Sequence, residues 1–207
     1  EWTLYVSLEP CSHHGKTPPC ADLIIKWGIK RVVVATLDPN PQVHGRGVIK
    51  LQDAGIDVTV GVLEDEALEQ NRRFFTYIQN KRPYIILKWA QTLDGFIDMA
   101  RKPHDPIGPV WISNEFSRTL VHRWRSEEQA IAVGSNTVAK DDPRLDVRSW
   151  YGRNPLRIVL DRTLRLPIDS NIYDGTVPTM VLAGSNSKAR IRRKLYEQIP
   201  NLEVLVV

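Results

Sequence analysis

The feature that most limits the folds open to this chain is a regular alternation of short apolar segments with amphipathic ones. Segments rich in aromatic and β-branched residues predict strands at 2–8, 31–35 and 56–62. Helical patterns follow them at 21–27, 48–54 and 63–78, with Gly28 and Gly55 as stops. The order β-α-β-α-β-α indicates an α/β fold in which helices cover a sheet, and the largely apolar run 31–35 predicts a strand buried on both faces.

A second pattern of the same kind follows the polar stretch 80–83. We therefore place a domain boundary there, with one domain at 1–82 and the other at 83–207. Residues 84–90 predict the first strand of the second domain, 93–95 a turn and 101–109 a loop. A helix is expected to begin after Ser113 or Asn114. Further strands are predicted at 130–134, 156–160, 179–183 and 204–207, with another helix at 189–199.

Composition narrows the class of partner. The net charge is +4, and residues 83–207 carry this whole excess, with 18 Lys/Arg against 14 Asp/Glu. Since no dense basic run is present, the charge favours a phosphorylated small molecule over nucleic acid. No apolar run approaches the roughly 20 residues of a membrane helix, so we expect no membrane partner. Two cysteines are too few for a disulfide framework, which indicates a reducing, cytoplasmic setting.

Both cysteines lie in one loop, residues 9–20, which we call the cysteine loop. Cys11 directly follows a predicted strand, and Cys20 begins a predicted helix. Zinc takes thiolate and imidazole ligands in a tetrahedron, and a catalytic zinc leaves one position for water. The residues alone leave three interpretations open. The cysteines are two ligands of a catalytic zinc, or part of a structural site with His13 and His14, or they bind no metal.

Pro10-Cys11 followed by a helix-starting Cys20 resembles the nucleoside deaminase signature, His-x-Glu and then Pro-Cys-x-x-Cys. The enlarged cysteine loop, and Asp-Pro-Asn-Pro-Gln-Val-His-Gly-Arg-Gly at 38–47, resemble the bifunctional deaminase–reductase family of riboflavin biosynthesis. The resemblance implies a cytidine-deaminase-like α/β/α domain. In it Zn²⁺, held by Cys11 and Cys20, activates a water that attacks the amino-bearing carbon of a pyrimidine. It also implies that His13 and Lys16 face the substrate; otherwise they are solvated loop residues.

The chain departs from this pattern in one respect. None of its five histidines is followed two positions later by glutamate. In the family that His-x-Glu element would precede Glu1, so we expect the third zinc ligand and the general acid/base to lie upstream of this sequence. We do not assign the role of the missing general acid/base to Glu9. We interpret the sequence as truncated at both ends and expect residues 1–207 alone to turn over neither substrate; ammonia release by this stretch would contradict that expectation.

From Pro83 onward the order of elements, with a Leu-Asp-Gly turn and a Trp-Ile-Ser segment, resembles the family's reductase half. That half is similar in fold to dihydrofolate reductase. Residues 130–148 carry the densest match, and no Gly-x-Gly-x-x-Gly indicates a Rossmann site. The resemblance implies two sets of ligand contacts. NADPH would be contacted by Ala90, Trp111, Thr137 and Asp141, and the substrate by Arg125, Leu145 and Arg148.

The implied substrate is a ribosylaminopyrimidine phosphate, whose ribosyl group NADPH reduces to ribityl. Guanidinium groups suit phosphate recognition, although Arg125 and Arg148 are also consistent with surface arginines. Trp111 is also consistent with a core residue and Asp141 with a turn, and Lys88 faces either the cofactor or solvent. The loop 101–109 looks longer than the family pattern.

The resemblance further implies a cytoplasmic homo-oligomer. Three alternatives remain open. One is a monofunctional reductase with a remnant deaminase domain. Another is a zinc-stabilised nucleic-acid-binding module, which would bind RNA at moderate salt and show no affinity for NADPH. The third is a structural fragment that binds no ligand.

Overall fold

The computed structural model describes residues 2–102, 104–185 and 187–207, and the chain forms two compact units. The first unit is Glu1–Leu87 and the second is Lys88–Val207. Each unit is described by itself. Pro103, within the predicted loop 101–109, lies outside the described residues.

A parallel three-stranded sheet forms the centre of the first unit. Its strands β1 (Thr3–Val6), β2 (Arg31–Val34) and β3 (Asp57–Val60) lie in sequence order. The helices are α1 (Cys20–Lys26), α2 (Arg46–Asp53), α3 (Glu64–Gln70) and α4 (Arg72–Asn80). The predicted alternation is confirmed, and β2 is the buried central strand because its three valines are at most 5% exposed.

The core of this unit lies between the sheet and helices α1 and α2. Ala21 and Ile24 of α1 and Leu51 of α2 form one hydrophobic cluster with Val32 and Val34 of β2. The predicted helix 63–78 is two helices instead of one. It is interrupted at Asn71, whose side-chain amide donates to the carbonyl of Ala67 at 2.9 Å, and such local bonds compete with the regular helical pattern.

The second unit contains a parallel four-stranded sheet. Its strands β4 (Ala130–Gly134), β5 (Leu156–Leu160), β6 (Thr179–Ala183) and β7 (Leu202–Val206) also lie in sequence order. Helices α5 (Glu115–Glu127), α6 (Ser135–Asp141) and α7 (Ser187–Tyr196) accompany them, with a 3-10 helix at Asn171–Tyr173. The predicted cap is confirmed, because the Asn114 side chain accepts the Ser117 N–H at 2.9 Å.

The strand predicted at 84–90 is absent, and that prediction was wrong. The segment is not part of either sheet, and Ile85, Leu87 and Trp89 are more than half exposed. A strand exists only when another strand pairs with its backbone groups. No described residue supplies that pairing here, so an apolar pattern alone does not produce a strand. Within the described ranges, no helix is long and apolar enough to cross a bilayer.

Candidate functional site

The fold brings the two cysteines together. Cys11 follows β1 and Cys20 begins α1, and the Cys20 N–H donates to the Cys11 Sγ at 3.3 Å. A second bond, from Ala21 N–H to the Cys11 carbonyl at 3.1 Å, closes the loop at its base. Burial raises the pKa of the Cys20 thiol, and its hydrogen bond with Cys11 raises it further. Two thiols at the end of a strand and the start of a helix provide two adjacent soft ligands.

The donor set fits half of a zinc centre. Zinc requires three or four protein ligands, and the described residues contain no cluster of three or more His, Cys, Asp or Glu side chains able to hold a metal. The four-ligand arrangement with His13 and His14 is therefore not formed. His13 and Lys16 are exposed on the cysteine loop, so the structure leaves both open to a ligand or to solvent.

Glu9 is the residue in this region that the sequence did not identify. Its carboxylate is 4% exposed and accepts four backbone N–H groups. Asp38 and Gly45 donate to Oε2 at 3.2 and 2.9 Å, while Gly47 and Val48 donate to Oε1 at 2.9 and 3.3 Å. Because both oxygens are occupied, Glu9 is a positioning residue that fixes the 38–47 segment beside the cysteine loop.

Two further contacts hold the 38–47 segment. A Cβ at Gly47 would lie 1.9 Å from the Pro10 carbonyl oxygen, so the start of α2 packs directly on the backbone next to Cys11. The His44 ring contacts the Asp38 carbonyl through Nδ1 at 3.0 Å. Since a carbonyl only accepts, Nδ1 is the donor in this contact, and the ring is otherwise exposed.

In the second unit, the predicted cofactor residues Thr137 and Asp141 lie on α6, which directly follows β4. Thr137 is exposed and Asp141 half-buried. Burial raises the pKa of Asp141, although the neighbouring Arg101 guanidinium acts in the opposite direction. The structure thus places Thr137 near the start of α6, close to the carboxyl end of β4, and a partly desolvated carboxyl group at the end of the same helix.

Arg101 is the second residue that the sequence did not identify. Its side chain is only 7% exposed, and it bonds the Asp141 carboxylate at 3.1 Å and the Lys140 carbonyl at 3.0 Å. It also pairs with Asp98 at 2.7 Å, and the pKa of Asp98 is held down by this bond. Arg101 therefore ties the loop predicted at 101–109 to the end of α6.

The other predicted cofactor residues lie outside regular structure. Trp111 is 59% exposed and its ring is covered by the Arg118 guanidinium at 4.5 Å, so it is not a core residue. Ala90 is half-buried and Lys88 is exposed. Among the described residues, no hydrogen bond or ring contact joins Ala90 or Trp111 to Thr137 or Asp141, and their common role stays a prediction.

The predicted substrate residues Arg125 and Arg148 meet around one acidic residue. Arg125 donates from Nη1 to the Asp146 carbonyl, and Arg148 pairs with the Asp146 carboxylate. Burial lowers the pKa of Arg125, and the charge of Arg148 lowers it further. Two guanidinium groups with one carboxylate leave a net positive charge, which suits a phosphate.

His122 completes this cluster. It lies one turn before Arg125 on α5, is 6% exposed, and accepts the Arg148 backbone N–H at Nδ1 over 3.4 Å. Burial lowers the pKa of His122, as do the charges of Arg125 and Arg148, and both effects favour the neutral ring. Leu145 behaves differently: its side chain lies in the hydrophobic core and its backbone has φ 53°. A substrate contact by Leu145 would therefore come from its backbone.

Known proteins match this chain over nearly its whole length. Residues 83–206 match the family described as the RibD C-terminal domain. The riboflavin biosynthesis protein RibD of Aquifex aeolicus is 50% identical over 208 aligned positions, which cover 99% of this chain and 56% of that protein. RibD of Escherichia coli is 43% identical, with 79% of this chain and 47% of that protein covered. The chain spans about half the length of the curated relatives it matches.

Solved structures give the same result. One from Thermotoga maritima, a diaminohydroxyphosphoribosylaminopyrimidine deaminase/5-amino-6-(5-phosphoribosylamino)uracil reductase, superposes with a TM-score of 0.78 at 39% identity. The superposition covers 99% of this chain and 61% of the Thermotoga chain. Acinetobacter baumannii RibD superposes with a TM-score of 0.76 at 34% identity, with 99% and 62% covered.

Proposed function

Because the chain belongs to the RibD C-terminal domain family, we propose that residues 83–207 act as an NADPH-dependent reductase in riboflavin biosynthesis. The match over residues 83–206 carries this proposal. In it, the second unit is the first part of a dihydrofolate-reductase-like domain, and its substrate is a ribosylaminopyrimidine phosphate. NADPH supplies a hydride that reduces the ribosyl group to ribityl.

The side chains of the second unit support this reaction by binding and orientation. Thr137 and Asp141 follow β4 and would hold the cofactor, with Arg101 fixing the Asp141 carboxylate. Ala90 and Trp111 complete the proposed cofactor set. Arg125 and Arg148 would bind the substrate phosphate, with the Leu145 backbone beside them. The protein's contribution is to place the nicotinamide against the ribosyl carbon.

For residues 1–82 we propose the end of a zinc-dependent, cytidine-deaminase-like domain. Cys11 and Cys20 would hold the metal, with His13 and Lys16 facing the substrate. Zinc held there would supply a water that ionises near neutral pH, and the proposed hydrolysis would release the pyrimidine amino group as ammonia. Glu9 and the 38–47 segment keep Cys11 in place. The third ligand and the proton-transferring glutamate would come from residues outside this sequence.

A second candidate is a reductase whose deaminase domain no longer binds metal. Both candidates share the Cys11–Cys20 pair, since a third ligand would in either case come from outside this sequence. Zinc content and ammonia release separate the two candidates. The bifunctional enzyme is supported if the full-length protein contains zinc and if Cys11→Ser and Cys20→Ser each lose both the zinc and the deaminase activity. The remnant is supported if the full-length protein has reductase activity but contains no zinc.

The reductase proposal is tested by NADPH binding to the full-length gene product, measured by calorimetry. We expect micromolar binding that weakens roughly 10-fold or more in Asp141→Asn, since a hydrogen bond to a charged group contributes about 1.5–3 kcal/mol. Asp169→Asn, at an exposed position after β5, is the matched control and should bind as the wild type does. No binding by the wild-type protein overturns the proposal.

The remaining parts of the proposal concern assembly and setting. We propose a homo-oligomer of the cytoplasm that acts on small molecules and not on nucleic acid. Light scattering of the purified protein gives the oligomeric state. RNA binding at moderate salt without NADPH binding would instead indicate a nucleic-acid-binding module.

A further inference from the structure

We propose that the buried Arg157 is a positioning residue for the substrate: its charge acts through Arg125 and makes the site of Arg125 and Arg148 select a phosphorylated pyrimidine riboside over the same compound without its phosphate. This inference rests on the proposed reductase function and adds to it a residue that touches neither substrate nor cofactor. Arg157 is the second residue of β5.

Arg157 is a cation inside the fold. It is 0% exposed and is the bulkiest of the fully buried side chains that the structure describes. Its Nη1 donates to the Ile172 carbonyl at 3.1 Å and to the Asp174 carboxylate at 2.8 Å. Within the described part of the chain, its Nε and Nη2 have no hydrogen-bond partner. A buried guanidinium with two unpaired donors is unfavourable for folding, so stability alone does not account for its place in the core.

The charge of Arg157 is only partly neutralised. Asp174 is the one carboxylate that pairs with it among the described residues, and its side chain is 32% exposed. The same Asp174 oxygen also accepts the N–H and the hydroxyl of Thr176, at 3.0 and 2.8 Å. Water screens an exposed charge far more than a buried one. The field of Arg157 inside the protein is therefore stronger than the opposing field of Asp174.

This field reaches the predicted phosphate site. Arg125 is half-buried in the last turn of α5, and its own Nε is buried without a partner in the described ranges. Burial is the chief cause that lowers the pKa of Arg125. The charge of Arg148 lowers that pKa further, Asp146 opposes the shift, and Arg157 adds to it. Arg125 and Arg157 are therefore close enough for their charges to interact.

The backbone explains why the two arginines lie near each other. Helix α5 ends at Glu127, and β4 begins at Ala130 directly after it. The first residue of β5, Leu156, donates its N–H to the Gln129 carbonyl at 2.9 Å. The end of α5 and the start of β5 therefore meet at the amino end of the sheet, where Arg157 is the next residue of β5.

A third positive charge fits the charge of the ligand. Arg125 and Arg148 share Asp146, which leaves one positive charge, whereas a phosphate monoester carries roughly −1.5 to −2 at neutral pH. Arg157 supplies further positive charge from a position that solvent does not reach. Such fixed charge attracts a dianion without the loss of side-chain freedom that a surface arginine would incur on binding.

Arg157 also has a structural contact that the test must separate from its charge. It holds the carbonyl of Ile172, and the neighbouring Asn171 N–H donates to the Asp142 carboxylate at 2.8 Å. Asp142 begins the loop that carries the predicted substrate residues Leu145 and Arg148. A purely structural role would loosen this loop and weaken the binding of any substrate, whether or not it carries a phosphate.

The test is the reductase reaction of the full-length gene product with the phosphorylated substrate and with the same compound after removal of its phosphate. For the second compound the KM is measured, or the inhibition constant if the compound is not reduced. We expect Arg157→Gln to raise the KM for the phosphorylated substrate roughly 10-fold, because a unit charge is removed from a poorly screened site. The constant for the dephosphorylated compound, the kcat and the Kd for NADPH should stay the same.

Two further variants separate charge from shape. Arg157→Lys keeps the charge and should retain most of the selectivity for the phosphorylated substrate. The matched control is Arg123→Gln, which removes an exposed arginine of α5 that pairs with Glu127, and it should leave both constants unchanged.

Asp174→Asn gives a test of opposite sign. Asparagine keeps the oxygen that accepts from Arg157 and Thr176 but removes the charge that partly neutralises Arg157. We expect the KM for the phosphorylated substrate to fall about 2- to 3-fold, since the opposing charge is partly screened by water. Loss of structural support would instead raise the constants for both compounds. This variant decides the matter if Arg157→Gln does not fold.

The outcomes separate this inference from the proposed function. Failure of the wild-type protein to reduce the phosphorylated substrate with NADPH removes the reductase proposal itself. With an active wild type, equal increases for both compounds in Arg157→Gln indicate a structural role and overturn the inference. An unchanged KM for the phosphorylated substrate overturns it as well, and so does a raised KM in Asp174→Asn. Thermal unfolding of each variant shows that the constants belong to folded protein.

Discussion

Replacing Glu9 by glutamine tests whether one carboxylate holds the proposed zinc site in place. In the folded protein its two oxygens accept four backbone N–H groups from residues 38–48. Glutamine has the same size and keeps one oxygen, so the change removes acceptors without creating a cavity. The affected region begins two residues before Cys11, and we expect the cysteine loop and the 38–47 segment to loosen together.

The expected loss in the free energy of unfolding is about 3–5 kcal/mol. Whichever way the new amide is oriented, its NH₂ group faces two of the four donors, one at 2.9 Å and one at 3.2 or 3.3 Å. A hydrogen bond to a charged group contributes roughly 1.5–3 kcal/mol, and a buried donor left without an acceptor has a comparable cost. The loss is large beside the roughly 5–15 kcal/mol that stabilises a typical domain.

Urea denaturation of the full-length gene product, followed by circular dichroism, measures this loss. Hydrogen exchange localises it, because the amides of Gly45 and Gly47 should exchange much faster in Glu9→Gln. The matched control is Glu66→Gln, an exposed position in the first turn of α3, where the helix dipole accounts for at most about 1 kcal/mol. If Glu9→Gln matches this control and the two amides exchange as in the wild type, the carboxylate does not hold the segment.

Three further substitutions have predictable outcomes. Gly47→Ala would bring a Cβ to 1.9 Å from the Pro10 carbonyl oxygen and should lower stability by about 3 kcal/mol in urea denaturation, while Gly15→Ala, with open space around it, should not. His122 has a lowered folded-state pKa, so the unfolded chain binds more protons below about pH 6.5, and stability should fall with pH there. His122→Gln should flatten that dependence in denaturation curves at pH 5.5 and 7.5, and an unchanged slope would contradict the assignment. Tyr196→Phe removes a 2.7 Å hydrogen bond to a buried carbonyl and should lower the free energy of unfolding by about 1 kcal/mol. Because burial is the chief cause that raises the pKa of Tyr196 to about 12, the substitution should also remove an ultraviolet ionisation step near pH 12.

Periodicity predicted the regular elements well because it reflects local burial. The three strands of the first unit and all four of the second lie where apolar segments indicated, and Asn114 caps α5 as predicted. Two predictions failed because the deciding interaction was a hydrogen bond, which the pattern of apolar residues does not report. Asn71 divides a helix through a side-chain bond, and residues 84–90 lack a strand to pair with.

The candidate functional residues divide in a similar way. Cys11 and Cys20 could be proposed as metal ligands from the sequence, because of their residue types and their places beside a strand and a helix, and that role stays a prediction. Glu9 and Arg101 were not identifiable, because each acts on partners about 30 to 40 positions away in sequence. An isolated Glu or Arg in a loop has no local pattern that separates a positioning role from a solvated one.

Both candidate sites occupy equivalent places in their own sheets, and this follows from strand direction. In the first unit, Cys11 follows β1 and the 38–47 segment follows β2. In the second, Thr137 follows β4. Parallel strands bring their carboxyl ends to one edge, so residues far apart in sequence meet there without any one loop being long.

The strands keep that edge rigid through buried residues such as Val34 and Val159, while the loops remain free to carry ligand-binding side chains. Substitutions in the loops after β1, β2, β4 and β5 should therefore alter metal or cofactor binding before they alter folding. Glu9 and Asp161, whose buried carboxylates join loop to scaffold, are exceptions, and so is Gly47, which packs on the Pro10 carbonyl. At those three positions binding and stability should be lost together.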